Sequence, residues 1–315
     1  MSGERWQRTQ EWRRDTAGPC LSLGAAGAFD DTHIFAPCVA FEKGRYWMWY
    51  SGSRGEVALR VFRLGLATSD DGVNFTRHPA SPVCALADGS SSILTPTLLR
   101  RGDGSPLRQG GRLSMYFSRT DFPSGDPRHT LHRMTSADGL AWDAPSPALL
   151  ENVYAPTLIK EDGGYRLWFT DVGAEPWCMR AATSADGMDW QVHPEPVLRL
   201  SQSWEHHRLF YPTVLKVDGL YLMWYGSYSS HAPQVMKTSI GFAVSADGFN
   251  WEKSAANPVF GPDPGRPWES HFTTSQSLLP LPDGSWRMWY ASRTKPPFVH
   301  KYFAIATARM AHAKE

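Results

Sequence analysis

Cysteine is scarce in this 315-residue chain, with four residues, Cys20, Cys38, Cys84 and Cys178. None falls in a CxxC pair, which argues against a zinc knuckle. Reduced, buried thiols are expected, and with them a cytoplasmic location. No apolar run approaches the ~18 residues of a membrane-spanning helix. The first fifteen residues are polar, carry Arg5, Arg8, Arg13 and Arg14, and lack the apolar stretch of a secretory leader. There is no excess of charge of either sign: 32 Lys and Arg against 31 Asp and Glu leave a net +1. Such a balance supplies no field for nucleic acid or an anionic membrane, so neither is expected as a partner.

Aromatic residues are abundant. The 14 Trp, 11 Tyr and 15 Phe favour strands over helices. They recur in one module: an apolar strand opened by proline, a Gly turn, an aromatic strand, a third strand, then a DG turn. Copies begin at Ala36 (APCVAFEKGRYWMWYSGS), Thr95 (TPTLLRRGDG), Ala155 (APTLIKEDGGYRLWFTD) and Tyr211 (YPTVLKVDGLYLMWYGS); the last contains TSQSLLPLPDGSWRMWYASR. The anchors Pro37, Pro96, Pro156, Pro212 and Gln276 stand about 60 residues apart, the period of a propeller blade. The expectation is an all-β five-bladed β-propeller occupying residues 1–315, with 1–17 as an extension. A β-sandwich explains neither the five copies nor the next feature. The fifth copy stops after its third strand, and residues 18–23, GPCLSL, match the segments at Pro82, Pro196 and Pro258 that end other blades. That N-terminal strand is expected to complete blade five and close the ring.

The repeat also identifies decoys. Trp49, Trp224 and Trp289 share one position in strand two and are expected to pack between blades. Asp71, Asp138, Asp186 and Asp247 sit in DG hairpin turns, where Asp bonds its own backbone and Gly takes positive φ. Those turns are short and regular. The opposite face carries long, irregular connections: residues 29–36, 51–62, 118–131, 151–155, 171–178, 204–211, 228–237, 268–275 and 292–301. Function is expected there.

The blade text, P-x-hydrophobic, GxYxMWYxGS, IGxAxSxDGxxWxK and NPV, resembles the five-bladed propeller glycosidases of glycoside hydrolase families 32, 43, 68, 117 and 130. The similarity runs from about Pro19 to Met310. It implies an axial funnel that binds a small carbohydrate, with acids from blades one, three and four around a sugar ring. No cofactor is implied beyond a cation near the axis, beside which a blade-five histidine, here His271, would stand. One departure matters. Families 32 and 43 place key aspartates directly before the strand-one proline, and here those positions are Ala36, Thr95, Ala155 and Tyr211. Acids lie farther upstream, in the pairs Phe29-Asp30, Trp204-Glu205 and Trp268-Glu269. An aromatic–acid pair repeated at one offset can equally be blade consensus.

Glycosidic cleavage needs one protonated and one ionised carboxyl group across the sugar. On that chemistry Glu205 is the candidate general acid and Asp31 the base or nucleophile. Asp171, unique to blade three, is the candidate modulator of their pKa. Arg54, Arg119, Tyr154, His207, Arg208, Tyr211, Glu269 and His271 are the candidate substrate-binding residues. Adjacent histidines on a strand point opposite ways, which disfavours metal binding by His206, His207 and His271. Phosphorolysis, with Arg208, His207 and Arg119 holding phosphate, is the second reading. A propeller that binds or rearranges a sugar without hydrolysis is the third.

Overall fold

The structure, a computed structural model, describes residue 6 and residues 10–125, 127–230, 236–294 and 303–311. It is a β-propeller built from antiparallel meanders. The first joins His33–Glu42, Arg45–Ser53, Arg63–Ser69 and Thr76–Arg77. The second joins Ser92–Leu98, Arg112–Thr120, Thr130–Ser136 and Leu150–Glu151. Val153–Glu161, Gly164–Asp171, Cys178–Ser184 and Gln191–Val192 form the third. His206–Val217, Leu220–Tyr228, Thr238–Ser245 and Glu252–Lys253 form the fourth. The last contributes Phe272–Pro280, Trp286–Arg293 and Phe303–Met310. Each innermost strand packs on the next, and Phe272–Pro280 packs on His33–Glu42 to close the circle.

Closure is supplied by the N-terminal segment, over a longer stretch than residues 18–23. Leu21 and Ser22 pair with Ile305 and Ala304. Trp12 and Arg13 already pair with Met310 and Arg309. Part of the expected extension, 1–17, is therefore sheet. The physical reason is that the outer edge of Phe303–Met310 is as long as its neighbours, and its whole row of backbone groups needs partners.

Strand two shows why the aromatic residues are needed. In Leu220–Tyr228 nearly every side chain is buried on both faces. Leu222 and Trp224 enter the core shared with the last blade, whereas Tyr221, Met223 and Tyr225 enter the core shared with the third. Alternation along the strand thus divides residues between two dry interfaces rather than between core and water. Ring nitrogens and hydroxyls cross those interfaces. Trp49 Nε1 donates to the Gly139 carbonyl at 3.0 Å, Tyr116 Oη to Gly187 at 2.9 Å, Trp168 Nε1 to Gly248 at 2.7 Å and Trp289 Nε1 to Gly72 at 2.7 Å. Each acceptor is the glycine of a neighbouring DG turn. Among the described residues the final blade has no such turn after its third strand, and Gln10 takes its place: its Oε1 accepts from Trp224 Nε1 and Trp12 Nε1, both at 3.0 Å.

The DG turns are self-contained. In each, the Asp Oδ1 accepts two backbone N–H groups, as Asp186 does from Met188 and Asp189, while Ser184 Oγ accepts from Gly187 N. Those backbone bonds hold the Asp186 carboxyl below its usual pKa. The aspartates are turn chemistry, as the repeat implied.

Candidate functional site

All five inner strands break register at the same place, and the residue there has positive φ: Ala36 (52°), Thr95 (48°), Ala155 (50°), Tyr211 (55°) and Ser275 (52°). A β-bulge re-aims side chains. The bulge residues line a narrow central channel of about 60 Å³ together with Cys38, Arg100 and Gln276. The residues one step earlier, Phe35, Leu94, Tyr154, Phe210 and Thr274, line a wider funnel of about 420 Å³ above it. The remaining wall comes from the long connections: His33, Arg60, Phe62, Phe122, His129, Trp177, Arg208, Tyr228, Phe272, Arg293 and Phe303 among them. The funnel opens on the face of the long connections; residues 126, 231–235 and 295–301 of that face lie outside the described residues.

The funnel wall is aromatic and cationic. Arg60 lies 4.0 Å over Phe122, Arg208 4.1 Å over Trp177 and Arg293 3.9 Å over Phe272. Stacking fixes each guanidinium plane and leaves its edge for hydrogen bonding. Arg208 is also ion-paired with Glu175 at the rim. Arg60 donates to the Val57 carbonyl at 2.8 Å and makes no ion pair among the described residues. Tyr154 and Tyr211 share a short hydrogen bond between their hydroxyls. Burial raises the pKa of both phenols, so they stay protonated at neutral pH. Burial pushes the His129 imidazole down to about 4. His33 is also pushed down to about 4, by burial first and then by Arg60 and Arg293. Burial lowers Arg293 to about 10, against the opposing influence of Tyr228 and Tyr211. No described carboxylate lines the funnel.

The predicted site residues divide accordingly. Tyr154, Tyr211 and Arg208 are brought together in the funnel, and His207 stands at its rim in a cavity with Glu175, Arg208 and Tyr228. The others stand apart from the funnel wall. Asp31 caps its own loop, accepting from Gly27 N at 2.8 Å and Thr32 Oγ1 at 2.9 Å. Asp171 accepts from Gly173 N at 2.9 Å and faces Arg180 at 3.5 Å, on the outer side of its blade. Arg119 is paired with Asp88 at 2.6 Å, and Arg54 is exposed, reaching the Gly27 carbonyl at 3.4 Å. The His271 ring is 2.9 Å from Ser270 Oγ.

Glu205 is a structural carboxylate. Its side chain has no exposed surface and is paired with Lys253 at 2.6 Å. It also accepts from Tyr225 Oη at 2.7 Å and from the backbone N–H groups of Ser201 and Gln202. Asp30 and Glu269 repeat the arrangement: Tyr50 and Arg77 donate to the first, Tyr290 and Arg14 to the second. The acid upstream of the anchor, the tyrosine that follows the strand-two tryptophan (Tyr50, Tyr225, Tyr290) and a base in or just after the outermost strand are thus a blade element. A carboxylate saturated with four donors and closed from solvent cannot deliver a proton to a sugar. Asp31, Asp171 and Glu205 do not face one another across the funnel.

Around the axis the described side chains of the bulge residues are those of Ala36, Thr95, Ala155, Tyr211 and Ser275, with no carboxylate among them. Among the described residues no group of three or more His, Cys, Asp or Glu could hold a metal. The residues that sequence reasoning missed, Phe35, Thr274, Ser275, Arg60 and Arg293 above all, had a signal. They occupy the one or two positions before each anchor, or the strand-two to strand-three connections.

No family model matches the chain. An uncharacterised protein of Mycobacterium tuberculosis is 26% identical over 220 residues, covering 66% of this chain and 72% of its own. Among solved structures, a glycoside hydrolase superposes with TM-score 0.78 at 15% identity, covering 100% of this chain and 96% of that one. A structure from the GH130 family, described as mannoside phosphorylases that include hydrolases of β-1,2 mannosidic linkages in Candida mannan, gives 0.71 at 15%, covering 96% and 94%. An N-acetylgalactosamine deacetylase from F. plautii gives 0.70 at 16%, covering 96% and 95%. No helix is long and apolar enough to cross a membrane among the described residues. With its repeat, its bulged inner strands and these neighbours, the chain has the β-propeller fold of the glycoside hydrolase structures.

Proposed function

We propose that this propeller holds an anionic carbohydrate in its axial funnel and does not cleave it with a carboxylate pair. One observation carries the reading: the funnel wall presents Arg60, Arg208 and Arg293 among aromatic rings, and no described carboxylate. Aromatic faces suit the apolar faces of a sugar ring, and stacked guanidinium groups suit a carboxylate or phosphate. The positions where families 32 and 43 carry key aspartates are here Ala36, Thr95, Ala155 and Tyr211, none of them a carboxylate that could serve as acid or base in glycosidic hydrolysis. The buried, protonated Tyr154–Tyr211 pair and neutral His129 supply hydrogen bonds rather than charge.

Calorimetric titration of the full chain with hexoses, hexuronates and hexose phosphates tests this. Anionic sugars should bind at least tenfold more tightly than the neutral parent, about the value of one hydrogen bond to a charged group. Arg60→Gln should remove most of that difference, and aryl glycosides should bind without turnover. Equal affinity for neutral sugars, or hydrolysis abolished by Asp31→Asn and Glu205→Gln in a folded protein, would overturn it.

A further inference from the structure

The two hydroxyls at the fifth bulge differ from others on the inner strands. Thr95 Oγ1 bonds Ser118 Oγ, Ser277 Oγ accepts from Val39 N, and Thr213 Oγ1 donates to the Gln276 carbonyl. Thr274 Oγ1 and Ser275 Oγ are buried without a hydrogen bond of ordinary geometry, although the Tyr211 phenol lies beside Ser275. Ser275 is only 4% exposed, and both residues line the funnel. Buried polar groups are rarely left unbonded, and an exception calls for a partner such as an ordered water, an ion or a ligand. On the adjacent strand stands Arg293, in register with Phe272, while Thr274 faces Ala291. Its guanidinium is held over the Phe272 ring and also lines the funnel.

We infer that Thr274, Ser275 and Arg293 form a subsite for a phosphoryl group, and that the ligand is a phosphorylated sugar. The inference rests on the anionic-carbohydrate reading and makes it specific. A carboxylate is planar and is satisfied by one guanidinium fork. A phosphoryl group is tetrahedral, has three terminal oxygens, and carries nearly two charges at neutral pH. A guanidinium with two hydroxyls on one wall supplies donors from separate directions. Arg60 lines the same funnel, and both arginines lie close enough to His33 to act on its ring. The phosphate belongs on the sugar because the subsite opens onto the aromatic funnel, where the attached ring has Phe, Tyr and Trp faces to meet.

The full chain is titrated with hexose 1- and 6-phosphates, the matching hexuronates, and inorganic phosphate. Wild type is compared with a Thr274→Val, Ser275→Ala double variant and with Arg293→Lys. The inference expects a phosphate-ester preference over uronate of about tenfold or more, erased in the double variant at unchanged melting temperature. Arg293→Lys, which keeps charge but loses the fork, should weaken the esters relative to wild type and leave neutral hexoses unchanged. Equal binding of uronates, or a preference that survives removal of both hydroxyls, overturns the subsite and leaves the anionic reading standing. Inorganic phosphate binding as tightly as the esters overturns the claim that the phosphate is sugar-borne. If no anion binds wild type, the broader reading fails, and the subsite with it.

Discussion

Replacing Glu205 with glutamine separates structure from chemistry, because the two roles predict opposite outcomes. Lys253 Nζ contacts both carboxylate oxygens, at 2.6 and 2.7 Å, and its side chain is 8% exposed. Glutamine removes the charge and places an amide N–H among groups that all donate. Lys253 is then a buried cation without its counter-ion. Breaking a buried pair in this way costs about 3–5 kcal/mol. In a domain of this size that is a fall in melting temperature of roughly 5–8 °C. Differential scanning calorimetry at pH 7 would read it directly. Asp30→Asn and Glu269→Gln should fall comparably, since Arg77 and Arg14 occupy the place of Lys253. A double replacement, Glu205→Leu with Lys253→Met, should recover part of the loss because no charge remains to be solvated. Sugar binding should follow the folded fraction in every case. A Glu205→Gln protein that melts with wild type yet loses activity on a confirmed substrate would refute the structural assignment and restore Glu205 as an acid.

Gln10→Ala removes the acceptor shared by the Trp12 and Trp224 indoles, so thermal unfolding should show a loss of about 1–3 kcal/mol; unchanged stability would mean that this residue does not tie the ring. Stability should also depend on pH through His33 and His129. Their folded pKa values, about 4, lie below the unfolded value of 6.5, so the unfolded chain binds more protons between the two. The full contribution is present above pH 6.5 and is lost as pH falls towards 4, roughly 3 kcal/mol for each histidine. Urea titrations across that window should show the decline and a shallower one in His129→Gln; a flat profile would contradict the burial of both rings.

The repeat was legible because a propeller is periodic in sequence as well as in space. Proline anchors, aromatic second strands and DG turns recur at one offset, and the missing fourth strand of the last copy pointed to the N-terminus for closure. The same periodicity exposed the DG aspartates as turn residues. It also raised the possibility that Asp30, Glu205 and Glu269 are blade consensus, but one sequence could not decide that. Their partners, Tyr50 with Arg77, Tyr225 with Lys253 and Tyr290 with Arg14, lie on other strands, and for Glu269 the base comes from the opposite end of the chain.

Composition and spacing alone determined the β-propeller, the order of its strands and which face carries the long connections, because these follow from local pattern and repeated turns. The tertiary structure decided which side chains reach the axis. A bulge at positive φ turns Ala36, Thr95, Ala155, Tyr211 and Ser275 into the channel and their predecessors into the funnel, against simple strand alternation. It also decided that arginines rather than carboxylates meet there, since Arg60, Arg208 and Arg293 come from different blades and converge only when the ring closes.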